Sequence, residues 1–347
     1  MLTVCLAPLV THICFGFAEP VILADRRPRV SDRLVQFNPI TIVWRWYAIV
    51  NRRIRAKSWD RADMAATNAI FWDGHRWDGS EEMMLKSRAW VTKLPEHTRV
   101  NWISSSTLAT AAMTLQGVDA LLHLIHSTKV DWNAATDGLP NIFYPVAILS
   151  LSRLPASIWL SNEYGYEKAC WNEQHLHDQP NEGNGPQQNL LSSTIPKLAL
   201  DKAVQEHRQS LEYSGVTTVS RLEPNTAFCA RLWALCGILC SFGCCGGAAY
   251  VCIVDVSRRP FVIVASCSSL MTVCYYFVLN VSACLIFISY ILKGQAGSTA
   301  IPCMNSGWYK ALNIFMILLA IAMFVTSALE TTIPPNGQAT TYSLPPP

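Results

Sequence analysis

The chain has 347 residues, of which 51% are hydrophobic and 15% charged, with a mean hydropathy of +0.22. Soluble domains carry roughly 25% charged residues, so a solvated surface around one core is excluded for much of this chain. The net charge of +3 hides a polarity: from Asp25 to Arg61 ten basic residues face three acids, whereas from Ser161 to Asn225 five basic residues face nine acids.

These features predict an all-α, multi-pass helical membrane protein with three strong C-terminal transmembrane helices, two weaker ones and a short apolar N-terminal segment. In chain order, residues 1–24 begin with the apolar stretch Thr3 to Ala18, which ends in Gly16-Phe17-Ala18, the small-x-small form of a signal cleavage site. No basic residue precedes it, and a membrane-embedded anchor fits equally well.

Residues 25–101 form a basic, tryptophan-rich helical extramembrane region. Asn38-Pro39 reads as a helix start, with Asn as cap and Pro in the first turn. From Ile40 to Lys57 the apolar residues Ile40, Val43, Trp44, Tyr47, Val50 and Ile54 share one face, and Arg45, Arg52 and Arg55 lie away from it. Such a helix suits a membrane surface, with Trp44 and Tyr47 at headgroup depth and the arginines on anionic lipid; burial against its own domain is the competing reading. A helix from about Trp59 to Phe71 follows. The doubled Trp-Asp-Gly unit at 72–74 and 77–79 reads as two Asp-Gly turns, after which Ser80 caps a helix with Glu81 and Glu82 at its positive end.

Residues 102–160 read as a weaker transmembrane hairpin. Its first arm, Ser104 to Ile125, is interrupted by Gln116, Asp119 and His123, and its second, Pro140 to Leu160, by Arg153, Pro145 and Pro155. Residues 161–225 form an acidic polar loop with an amphipathic helix at Pro196 to Ser214. Residues 226–330 supply the strong passes, Phe228 to Val254, Phe261 to Leu292 and Ala311 to Leu329, each near or beyond the 20 or so apolar residues that a bilayer requires. Residues 331–347, rich in Pro and Thr, read as a disordered tail.

Lys and Arg near a membrane prefer the cytoplasm, which places the basic region there. If both weaker arms span, the 161–225 loop returns to that side; if only one spans, the loop is external. The loops at 161–225 and 294–309 share a face in either case, and each holds one cysteine. On an oxidising face Cys170 and Cys303 would form a disulfide.

The run Asn38-Pro39, Trp44-Arg45-Trp46-Tyr47-Ala48, Trp59-Asp60-Arg61-Ala62-Asp63-Met64-Ala65-Ala66, Phe71-Trp72 and Trp77-Asp78-Gly79-Ser80-Glu81, followed by Arg153-Leu154-Pro155 and Tyr164-Gly165-Tyr166, resembles a group of fungal multi-pass membrane proteins to which no function is assigned. The resemblance covers about residues 1 to 170. It implies a filamentous-fungal origin and nothing about activity, so it assigns no functional residues.

Gln116, Asp119, His123 and His126 fall on one helical face, and an ionisable stripe within a membrane helix is a functional candidate. It suits a proton or cation path, or a metal site completed by another helix; the competing reading is a face in water or bonded to Arg153. The thirteen cysteines form no CxxC pair, and hydrolase, zincin, phosphate-loop and dinucleotide motifs are absent. No catalytic residue, metal ligand or cofactor is therefore expected. The leading expectation is a membrane scaffold or regulatory subunit that contacts lipid through a basic amphipathic helix and a protein partner through its cytoplasmic region, with no nucleic-acid partner. The alternatives are a small transporter or channel-like protein using the Asp/His stripe, and a membrane-embedded metal-dependent lipid enzyme.

Overall fold

The computed structural model describes residues 2–24, 26–127, 142–166, 222 and 267–330, together with helical positions at 237, 239, 242, 243 and 245–247. The run Phe228 to Val254, apart from those positions, most of the acidic loop including Pro196 to Ser214, and the 331–347 tail lie outside the described residues. The fold is mostly helical, with short strands in one region.

Helix α1 (Leu2–Gly16) leads into strand β1 (Pro20–Ile22), then into α2 (Val30–Leu34) and a 3₁₀ turn at Val35–Phe37. Helix α3 (Pro39–Arg55) starts where the sequence places it: Asn38 Oδ1 accepts from the Ile40 amide at 2.9 Å, and Pro39 occupies the first turn. The expected surface role of this helix is overturned. Trp44, Arg45, Arg52 and Arg55 are all buried, and Tyr47 is half-buried against the core. A helix buried on almost every side is a central helix, and α3 is the axis on which the other elements dock.

The helix expected from Trp59 to Phe71 is shorter. Helix α4 (Arg61–Asn68) is opened by a reciprocal capping box between Asp60 and Asp63, and the chain then becomes strand β2 (Ile70–Trp72). Strand β2 pairs in parallel with β1 and antiparallel with β3 (Trp77–Asp78), which sets Trp72 opposite Trp77. Only the first Asp-Gly is a turn glycine: Gly74 has φ +98°, a conformation that favours glycine. At Gly79 the backbone is ordinary, and the requirement for glycine is space, because a Cβ there would collide with Thr299 and Ala300. Ser80 caps α5 (Glu81–Lys86) by accepting from the Met83 amide at 3.1 Å. A 3₁₀ turn and strand β4 (Val91–Lys93) follow, and β4 pairs antiparallel with β5 (Gly165–Tyr166). These strands depart from the all-α expectation; at two or three residues each they are too short to show a period of two.

The first weaker arm is one helix, α6 (Ser105–Ser127). The second is not: α7 (Tyr144–Ser150) is seven residues long and tightens into a 3₁₀ helix at Leu151–Ala156. Pro155 lacks the amide that would bond the Leu151 carbonyl in an α-helix, so the α-helical ladder cannot continue. Where α6 crosses α7, a Cβ on Gly117 would lie 2.6 Å from Leu151 Cδ2 and 2.8 Å from the Ala147 carbonyl oxygen. Gly117→Val is expected to force these helices apart and cost about 1–3 kcal/mol, read as a lower unfolding midpoint in detergent relative to Ala112→Val on the same helix.

The last helices are α8 (Cys267–Leu292) and α9 (Gly307–Glu330), joined by a compact connection with a 3₁₀ turn at Pro302–Asn305. Each contains a 23-residue stretch long and apolar enough to cross a membrane, Leu270–Leu292 with mean hydropathy 2.0 and Gly307–Leu329 with 2.4.

The helix ends define one polarity. The C-terminus of α1, the 3₁₀ end of the α7 arm, the α8–α9 connection and the bridge between Leu222 and Ala56 all meet the body formed by α2–α5 and the strands, and the N-terminus of α6 joins it through the second arm, where Ser106 Oγ donates to the Leu160 carbonyl. We call this body the cap. At about 1.5 Å per residue, the 26 residues of α8 carry its first turn roughly 39 Å from the cap.

Candidate functional site

The densest constellation of buried polar groups lies where α3 meets the helices, and it forms two junctions. At the first, α1 ends in carbonyls that no helical amide can reach. Arg45 Nη1 donates to the Gly16 carbonyl at 3.0 Å, and Arg153 Nη1 donates to that of Phe15. Each arginine then reaches a different element: Arg45 Nη2 donates to the Asn68 carbonyl at 2.9 Å, while Arg153 Nε donates to Thr110 Oγ1 at 2.9 Å and its Nη2 reaches Ser106 Oγ at 3.3 Å. Among the described residues neither guanidinium meets a carboxylate, so the negative end of α1 is the charge they answer. Trp46 lies 6.0 Å below the Arg153 guanidinium and edge-on to His12, whose Nδ1 is 2.7 Å from Ser150 Oγ.

At the second junction α3 grips the α8–α9 connection through its backbone. Trp44 Nε1 donates to Ser298 O at 2.9 Å, Asn51 Nδ2 to Ala296 O at 2.9 Å, and Arg52 Nε to Gly297 O at 2.7 Å. Arg52 Nη2 also donates to the Gly79 carbonyl, which accepts from the Thr299 amide at 2.9 Å, and Arg55 pairs with Glu81 at 2.7 Å. Burial drags the Arg52 guanidinium down to about 10, still charged at neutral pH. Asn305 exchanges hydrogen bonds with the Trp77 backbone at 2.8 and 3.0 Å, Tyr309 bonds Thr41 at 2.8 Å, and Lys310 pairs with Asp32 at 2.5 Å. The apolar side of the same contact is Trp44, edge-on to Phe287 with centroids 5.0 Å apart.

The predicted polar stripe does not converge. Gln116 faces α1, where its Oε1 accepts from Thr11 Oγ1 at 2.6 Å. Asp119 and His123 are exposed, the latter with its ring 5.2 Å from that of Tyr144. The His126 side chain lies outside the described residues. Arg153 bonds Ser106 and Thr110 instead of the stripe. Among the described residues no three side chains of His, Cys, Asp or Glu gather as a metal site would require. Cys303 is a buried thiol whose pKa burial pushes up to about 12; Cys170 lies outside the described residues.

Sequence reasoning missed the partners of the arginines, because backbone carbonyls of Gly16, Asn68, Gly79 and Gly297 leave no side-chain signature. It also missed Asn68, which binds the Trp159 carbonyl at 2.7 Å and so ties α4 to the second arm. A lone Arg153 inside an apolar run was the one available signal.

Among the described residues, these groups hold elements in position through backbone carbonyls. The arrangement belongs to a mostly helical protein in which a small mixed cap holds two helices able to cross a membrane. No family model, curated protein or solved structure matches the chain.

Proposed function

We propose that the protein is a multi-pass membrane scaffold, in which one rigid cap fixes the relative positions of several membrane helices and offers its outer surface to a protein partner. The observation that carries this reading is an inside-out pattern. Helix α6 buries Ser106, Thr110, Met113 and Ala120 and turns Leu108, Leu115, Val118, Leu122 and Ile125 outward. Helix α9 turns Phe315, Leu318, Ile321 and Val325 outward while burying Asn313 and Ser327 beside Met316 and Met323, and α8 turns Phe277, Val281 and Leu285 outward although its buried face, with Tyr276, Leu279 and Phe287, is itself apolar. Outward faces this apolar would be costly in water and are favourable in hydrocarbon, where small residues serve helix contact. Only 22% of the most apolar α9 window is buried, unlike the core helix of a soluble protein.

Leu222 sits at the cap and α8 begins far from it. The apolar run Phe228 to Val254, lying between them in sequence and long enough to cross a bilayer, supports a third C-terminal span. His123 lies about 27 Å along α6 from Ser105, close to the distal boundary of a layer roughly 30 Å thick, and Asp119 about 21 Å along it, deeper in that layer. A polar side chain at the His123 level reaches headgroups and water.

The 161–225 loop leaves from β5 and returns at Leu222, both in the cap. Two ends at the cap support a loop on the side of the basic region, the parity expected if both weaker arms traverse. Arg26, Arg27, Arg29, Arg33, Lys57 and Arg61 stay exposed on this body, which supports a cytoplasmic cap and a Cys303 that stays reduced. Alkaline carbonate treatment of membranes is expected to leave the full chain in the pellet, and an epitope near Gly183 is expected to share its side with one near Lys57. Release by carbonate sinks the membrane reading, and epitopes on opposite sides sink the parity.

A further inference from the structure

Trp102 and Ile103, in the loop that enters α6 at the cap, are 93% and 95% exposed. They are the extreme among the large apolar side chains of the described residues, and they are not isolated. The outward ridge of α6 begins one turn later at Leu108, and beside the loop the 3₁₀ end of the second arm exposes Leu154 and Ile158, the Ile158 carbonyl accepting from the Val100 amide at 2.9 Å. Trp308, 55% exposed, holds the matching place in the first turn of α9, which also departs from the cap. Two indoles at the cap ends of two outward-apolar helices occupy the depth at which an amphipathic ring is most stable, its body in the acyl boundary and its N–H among headgroups.

We infer that Trp102, Ile103 and Trp308 form a docking rim for the bilayer interface on the cap side, which sets how deeply the cap sits against the membrane. The occupant is lipid, because the rim is continuous with the apolar ridge of α6. The inference rests on the membrane reading above, and its test separates the two. Photoreactive p-benzoylphenylalanine is placed at 102, at 308 and, as a reference inside the proposed hydrocarbon layer, at 115 in the full chain in native membranes, then irradiated. Positions 102 and 308 are expected to gain the mass of one phospholipid attached through its glycerol or carbonyl region, and position 115 the same mass attached through an acyl chain. A protein adduct at 102, or none, while 115 joins lipid, overturns the rim and leaves the membrane reading standing. No lipid adduct at any of the three positions overturns both.

Discussion

Arg52→Ala is expected to detach the α8–α9 connection from the cap and to cost about 3–5 kcal/mol, the usual penalty for removing one member of a buried charged network. The loss has two parts. The Gly297 carbonyl, which accepts from Arg52 Nε at 2.7 Å, is left without that donor, and the Gly79 carbonyl keeps only its Thr299 donors. A cavity the size of a guanidinium and its stem also opens beside the connection. Arg52→Lys should recover only part of the stability, since one ammonium cannot span two carbonyls on separate elements as the planar fork does. Thermal unfolding in detergent, followed together with proteolysis within 293–306, is the measurement. An alanine variant with an unchanged midpoint and an intact connection would show that Arg52 does not hold the junction.

Arg153→Ala should have an effect of similar size, about 3–5 kcal/mol, with a different local signature. It frees the end of α1 and leaves the Thr110 and Ser106 hydroxyls of α6 without their cation. The segment 17–29 should become the first site of proteolytic cutting. Arg45 serves the adjacent carbonyl of the same helix end, so Arg45→Ala and Arg153→Ala should not add: once α1 has loosened, the second substitution has less to lose. A double-mutant cycle should return a coupling of at least about 0.5 kcal/mol, the level above which sites are no longer independent. Strict additivity would mean that the two arginines do not share α1 as a common load.

The parts of this fold that were legible in the sequence are those written in side chains. Asn38-Pro39 and Ser80 open helices where expected, because a cap oxygen and a first-turn proline act locally. The apolar runs that became α8 and α9 needed only length and composition. The reading of α3 went wrong for a definable reason. Arginines off an apolar face look alike whether they meet water, lipid phosphate or carbonyls, and here every carbonyl belongs to a residue distant in sequence. Likewise, Gln116 and Asp119 share a helical face in projection, yet one turn of helix and the arrival of α1 place the first against Thr11 and leave the second outside.

The cap is assembled from pieces whose sequence positions are far apart: β1 before residue 23, the body of residues 30–93, β5 at 165–166, Leu222, and the connection ending at Lys310. A ribosome releasing about 5–20 residues per second has therefore made nearly the whole chain before the last piece is available. Until then Trp44 Nε1, Asn51 Nδ2 and Arg52 Nε wait for the carbonyls of residues 296–298, and the half-built body is expected to be a target for chaperones and proteases. Completion of the C-terminal hairpin is therefore expected to act as a checkpoint on biogenesis, and chains truncated before Gly294 should be cleared more quickly than those truncated after Glu330.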